Sequence, residues 1–192
     1  MTHRFWLFLL AALLFATAAT AQAQTSPIRI SVEVTGHTDT ERAKPPKKGG
    51  GIVPKVTNTQ EKQLEITIAN DTLTDFKGLT VKYYLFAKDL SKKEYSIPRM
   101  GKRDIDLPGR GSVKIKSETL TFTYTDQYSK KSQGQVVFVP EEGQKYAGNG
   151  VQVFRAEALV AEKFDPPELK TKLGSAWIEP AGGKKKSRKY KD

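Results

Sequence analysis

The chain has 192 residues, and its 32 Lys and Arg against 21 Asp and Glu give a formal net charge of +11. It contains no cysteine, which excludes disulfides, thiol catalysis, cysteine metal sites and a lipid anchor on a cysteine. The length predicts one domain of ordinary size, because domains usually take about 100 to 150 residues each.

The first 23 residues have the layout of a secretory signal peptide. An apolar run spans residues 5–16, and two A-x-A sites end at Ala21 and Ala23. This run is too short to anchor the chain, since a membrane-spanning helix needs about 20 apolar residues. We therefore expect residues 1–23 to be removed after Ala23, or alternatively after Ala21. The mature protein is then secreted or periplasmic, with no transmembrane anchor.

Most of the positive charge lies in two segments outside the body of the domain. Removal of Arg4 leaves +10, of which +4 lies in segment 41–55 and +5 in segment 184–192, so the remaining chain is nearly neutral. A nearly neutral body argues against a nucleic-acid-binding domain, which spreads its Lys and Arg over one folded face. The first segment is rich in Pro and Gly and predicts a flexible basic loop.

The second basic segment belongs to a tail, residues 181–192, that we expect to be disordered and dispensable for folding. Its role is either attraction to an anionic surface or simple solubilisation without a partner. The candidate polyanion contacts in it are Lys184, Lys185, Lys186, Arg188, Lys189 and Lys191.

Alternating apolar and polar residues predict strands along the domain, residues 24–180. The first three strands are predicted at 27–36, 63–70 and 78–89. The third is apolar on both faces at its centre. Val81 and Leu85 lie on one face, and Tyr84 and Phe86 lie on the other, so this strand should run through the middle of the domain and be covered on both sides.

The second half of the domain continues the same pattern. Within 112–125 the apolar positions change from odd to even near Ser117, which predicts a β-bulge. Further strands are predicted at 135–139, 151–164 and 170–178. No segment has a convincing helical period, so the predicted fold class is all-β, a single antiparallel β-sandwich.

Three stretches, 64–70, 79–86 and 151–160, resemble the immunoglobulin-like and fibronectin-type-III-like sandwich domains of secreted bacterial proteins. In that architecture they correspond to the second, third and sixth strands. The cysteine pair and central tryptophan of antibody-type domains are missing. The resemblance implies an immunoglobulin-like β-sandwich with a binding or structural role.

Few residues are suited to catalysis. His37 is the only histidine after signal removal, and no G-x-S-x-G pattern accompanies it, so we interpret it as an exposed turn residue. The nearest paired carboxylates are Asp104 with Asp106 and Glu141 with Glu142, and these we interpret as solvated side chains. No Asp/Asn/Gly calcium loop surrounds them. We therefore predict no catalytic residue, no metal and no cofactor.

Two further features have structural and functional interpretations. Asn70 begins a glycosylation sequon but equally marks a turn, which is the interpretation we prefer unless the host glycosylates secreted proteins. A group of tyrosines either caps a thin core, which we favour, or lines a sugar- or peptide-binding face. These tyrosines are Tyr83, Tyr84, Tyr124, Tyr128 and Tyr146.

The sequence thus favours a non-catalytic protein that binds another protein or an envelope polymer through a face or edge of its sheet. The alternative is an electrostatic binder that holds an anionic polymer or surface with its basic loop and tail. A carboxylate hydrolase is a third hypothesis. Salt separates the first two, because polyanion binding by lysines weakens steeply as salt rises.

The signal peptide can be tested on protein purified from its native compartment. We expect intact-mass spectrometry to show a mature chain that starts at Gln22 or Gln24. Recovery of a chain that retains residues 1–23 in a membrane fraction would contradict this prediction.

Overall fold

The computed structural model describes residues 26–44 and 52–176. Within these residues the fold is all-β and antiparallel, as predicted, with one short helix. The elements are β1 (Ile28–Arg42), β2 (Val56–Asn70), β3 (Phe76–Asp89), β4 (Tyr95–Leu107), β5 (Ser112–Lys116), β6 (Leu120–Thr125), β7 (Tyr128–Ser132), β8 (Gln135–Val139), β9 (Glu142–Arg155), β10 (Ala158–Asp165) and α1 (Leu169–Ala176). The predicted signal peptide, the predicted tail with its six candidate contacts, and positions 45–51 of the basic loop lie outside the described residues.

The main strands form two layers that are joined through β9. In the first layer β1 pairs with β2, and the other edge of β2 pairs with β5 and β6. In the second layer the order is β10-β9-β3-β4. β9 changes layers at Gly143, which pairs with β6 before the strand continues beside β3. Gly143 has a φ of 98°, and a Cβ there would lie 2.4 Å from the Thr123 carbonyl oxygen, so the bend requires glycine.

The bulge predicted near Ser117 is confirmed. Glu65 of β2 pairs with Lys116, whereas Lys62 pairs with Leu120, so the outer strand carries one extra residue. The extra length is accommodated at buried Ser117, whose hydroxyl accepts the Leu64 N–H at 2.8 Å. This hydrogen bond replaces the ladder contact that the bulge interrupts.

The central position predicted for the third strand is also confirmed. Val81 and Leu85 of β3 are fully buried in the core between the two layers. The opposite face carries Tyr84 and Phe86, which form a second cluster with Phe164 and with α1. β3 therefore has one layer of strands on its inner side and a short helix on its outer side.

The strand predicted at 170–178 is wrong, because the chain forms α1 there instead. The Lys-Thr-Lys sequence imitates strand alternation, but Leu169 and Leu173 are four residues apart and lie on one face of a helix. Both pack on the second cluster, where Leu169 is fully buried. Pro166 and Pro167, which are separated from the helix by Glu168, are the helix-start signal that the alternation obscured.

Other boundaries also differ from the predictions, since β2 begins at Val56 and β9 at Glu142, each several residues before the predicted start. β1 continues to Arg42, which pairs with Val56, so the first residues of the predicted basic loop lie in a strand. The predicted strand at 151–164 is a hairpin, because Arg155 of β9 pairs with Ala158 of β10. The turn residues, Ala156 and Glu157, both have positive φ, but neither is the Asn or Gly that usually indicates such a turn in a sequence.

The burial of β3 gives a direct stability test. Leu85→Ala should lower the free energy of unfolding by about 2 to 5 kcal/mol, because it removes a fully buried side chain. Lys77→Ala, at an exposed position of the same strand, should change it by less than about 0.5 kcal/mol. Lys82 of the same strand is less suitable as a control, because its ammonium lies 4.8 Å from the centre of the Phe154 ring. Equal losses in chemical denaturation would contradict the orientation of β3.

Candidate functional site

The most distinctive surface of the described chain is the β7–β8 hairpin, which forms a two-stranded sheet of its own. Its turn at Gln133 and Gly134 has φ values of 51° and 83°, the positive pair that a tight hairpin turn requires. Ser129 of β7 attaches the hairpin to the residues before β2. The Val53 N–H donates to Ser129 Oγ at 2.7 Å, and the Ser129 N–H donates to the Val53 carbonyl at 3.1 Å.

The free strand of this hairpin, β8, is both apolar and exposed. Val136, Val137 and Phe138 are 42%, 41% and 61% exposed. The register places Lys131 opposite Val136 and Lys130 opposite Val137, so the apolar side chains occupy both faces. Edge strands usually carry charges or Pro that prevent further pairing. β8 contains neither, and within the described residues its outer edge is unpaired.

A cleft of about 320 Å³ lies between β7 and the residues that flank positions 45–51. The floor is largely apolar, with Ile52, Val53, Pro54 and Tyr128 among its residues. Four basic side chains line the same cleft, and no Asp or Glu is among its described lining residues. These four are Lys44, Lys55, Lys130 and Lys131. We call this feature the basic cleft.

The walls of the basic cleft are fixed by contacts on either side. The Ala43 N–H donates to the Lys55 carbonyl at 2.9 Å and closes the end of the β1–β2 hairpin. The Lys55 ammonium lies 5.7 Å from the centre of the Tyr128 ring, which is a cation–π geometry. The cleft is therefore built by backbone hydrogen bonds and by the side chains of Ser129 and Lys55.

The candidate catalytic residues are not brought together into such a cleft. His37 lies within β1, where its exposed ring contacts Asp39 at 2.8 Å, so it is a strand residue and the turn interpretation is wrong. Asp104 accepts a hydrogen bond from the Thr80 hydroxyl at 2.7 Å, and Asp106 accepts the Gly78 N–H at 2.8 Å. Both carboxylates of β4 therefore stabilise the pairing of β3 with β4.

Glu141 and Glu142 are exposed where β9 begins. Asn70, by contrast, is buried, and its side chain binds the turn that follows it. Its amide donates to the Thr74 and Pro108 carbonyls at 2.7 and 3.1 Å, and its oxygen accepts the Thr72 N–H at 2.9 Å. The turn interpretation of the sequon fits this geometry.

The tyrosines mainly complete the core. Tyr83 and Tyr84 are buried, and Tyr84 donates to Gln152 Oε1 at 3.1 Å. Tyr146 packs edge-on against Phe122 and accepts a hydrogen bond from the Asn149 amide at 3.1 Å. Burial raises the pKa of both Tyr84 and Tyr146 above the ordinary value.

The other two tyrosines of the predicted group lie outside the core. Tyr128 lines the basic cleft, and Tyr124 is half-buried under Lys145.

The run 135–139 is predictable from the sequence, whereas β7 and the basic cleft were not predicted. The available signal was Gln133-Gly134, a turn dipeptide between a lysine-containing run and an apolar run. The contact between Val53 and Ser129 has no local signal, because it joins residues far apart in sequence.

The described part of the chain holds no cluster of three or more metal-ligating side chains. The helix in this part of the chain, α1, has eight residues and is neither long nor apolar enough to cross a membrane.

Comparison with family models finds no match, and comparison with curated proteins finds no significant one. Comparison with solved structures finds a similarity to Northeast Structural Genomics Consortium target SoR45. The two chains are 16% identical with a TM-score of 0.25, over 62% of this chain and 85% of that chain. A protein from Akkermansia muciniphila has 14% identity and a TM-score of 0.25 over 71% of this chain and 70% of that chain. TM-scores this low do not identify a shared fold or a shared function.

The buried phenol of Tyr84 predicts a specific loss of stability at alkaline pH. Because its pKa is raised in the folded state, folded protein retains the proton where unfolded protein has lost it. The contribution of the Tyr84 phenol to stability is complete below its unfolded pKa of about 10 and is lost as pH rises through its folded pKa. Between these two pKa values the unfolding free energy falls by up to about 1.4 kcal/mol per pH unit.

Tyr84→Phe should therefore make the decline in unfolding free energy above about pH 10 shallower than in wild type. Tyr128→Phe, at a half-buried position of β7, is the matched control for removing a phenol. Identical alkaline slopes for wild type and Tyr84→Phe, measured by urea denaturation, would show that the Tyr84 phenol does not contribute.

Proposed function

We propose that this protein is a non-catalytic, exported binding protein that contacts another protein or an envelope polymer through the surface of its β7–β8 hairpin. The observation that carries the proposal is the exposure of Val136, Val137 and Phe138 on an uncharged edge strand. Exposed apolar residues of this kind mark interaction surfaces when they are grouped together. An extended segment of a partner can pair with the free edge of β8 through backbone hydrogen bonds.

A non-catalytic role is supported by the roles of the candidate carboxylates. Asp104 and Asp106 are both engaged in hydrogen bonds that hold β3 against β4. The immunoglobulin-like resemblance inferred from the sequence belongs to the same proposal, since such sandwiches commonly present binding surfaces on their edges and loops. The predicted signal peptide supports the proposal of a role outside the cytoplasm.

Electrostatic binding of an anionic polymer or surface is a second candidate function. It is favoured by the four lysines that line the basic cleft without an acidic residue among its described neighbours. The basic residues of the tail would add to the same attraction. A lysine-mediated contact weakens steeply with salt, whereas pairing along β8 persists.

Site-specific photo-crosslinking in the native host tests the first proposal. A photo-reactive amino acid at position 138 should give an adduct of defined mass, because Phe138 lies at the exposed edge strand. The same probe at Leu159, an exposed apolar position on β10, is the matched control and should give none. The adduct should be lost when Val137→Asp is added and should persist when salt is raised.

Equal adducts from positions 138 and 159 would contradict the proposal, and so would the absence of an adduct from both. An adduct that survives Val137→Asp but disappears at raised salt would favour the electrostatic candidate.

A further inference from the structure

The basic cleft presents two kinds of surface to one ligand. Its floor includes Val53 and Pro54, and lysine side chains enter it from two separate segments of the chain. Lysine stems add apolar area of their own while their ammonium groups remain in water. A wholly polar anion would use only the lysines, and an uncharged apolar molecule would use only the floor.

Hydrogen bonds hold the described lining of the cleft in place. The paired hydrogen bonds between Val53 and Ser129 hold the floor against β7, and Ser129 is itself 3% exposed. On the neighbouring side, the Asp126 N–H donates to the Val56 carbonyl at 3.0 Å. A preformed cleft binds with little loss of conformational entropy. Its volume of about 320 Å³ suits a small molecule or one chain of a larger amphiphile.

We infer that the basic cleft binds an anionic amphiphile, with the charged head against its lysines and the apolar chain along the floor of Ile52, Val53, Pro54 and Tyr128. This inference goes beyond the contact proposed for β8, because it concerns a different surface and a different chemical class of ligand. It also differs from polyanion binding, because the apolar part of the ligand is required.

Three probes separate these possibilities in titration calorimetry, each used below the concentration at which it forms micelles. Decanoate has the anionic head and the chain, decyl maltoside has the same chain with an uncharged head, and acetate has the charge without the chain. We expect decanoate to bind at least tenfold more tightly than either of the others. Equal binding of acetate or of decyl maltoside would overturn the inference, since one surface alone would then suffice.

Variants locate the binding. Combined Lys55→Gln and Lys130→Gln should weaken decanoate binding at least tenfold, and Val53→Asp, at a side chain that is 45% exposed, should do the same. Lys102→Gln, on an exposed position of β4, is the control and should bind as wild type does. Unchanged binding by both cleft variants, with unfolding midpoints like that of wild type, would place the ligand elsewhere and overturn the inference.

The source of the amphiphile is then distinguished with phosphatidylglycerol vesicles. Sedimentation with vesicles that decanoate reverses identifies a lipid in a bilayer as the ligand source, whereas decanoate binding without vesicle sedimentation identifies a free amphiphile. Vesicle binding that the combined Lys55→Gln and Lys130→Gln variant retains in full, and that decanoate does not reverse, would place vesicle attachment outside the cleft and identify a free amphiphile as the ligand of the cleft. None of these results depends on crosslinking at Phe138, so the two proposals fail or succeed separately.

Discussion

Two-sided burial of β3 is the constraint on which the rest of the fold depends. Leu85 faces the core between the layers, and Phe86 faces the second cluster beneath α1, and both are fully buried. Each such side chain contributes about 1.5 to 3 kcal/mol when it leaves water. A chain without cysteine has no covalent cross-link to add to this, so both faces of the strand must be covered.

The second face explains why a helix completes an otherwise all-β chain. Only the inner face of the β9–β3–β4 sheet can pack on the β1–β2 layer, and Tyr84 and Phe86 would otherwise remain in water. α1 brings Leu169 and Leu173 against them within a few residues of the end of β10. The basic cleft and β8 lie outside both clusters and carry little of this burial. Their residues can therefore serve binding without weakening the core.

The parts of the fold that the sequence predicted are those with a local physical cause. β3 was predictable because its apolar residues occur on both faces, and the bulge at Ser117 was predictable because the alternation changes phase there. α1 was missed because eight residues contain too few apolar positions to outweigh a Lys-Thr-Lys alternation. The basic cleft was not predictable, because it depends on Val53 meeting Ser129 across a long sequence separation.

Under the proposed function, the short length of β8 means that strand pairing alone cannot hold a partner. A five-residue edge offers few backbone hydrogen bonds, and pairing along it alone buries far less than the roughly 1,200 Å² of a stable protein interface. The same shortness limits pairing between two copies of the chain. A lasting complex therefore needs a second area of contact. The exposed side chains of Val136 and Phe138, which share one face of the hairpin, offer such an area, and apolar contact with them persists at raised salt.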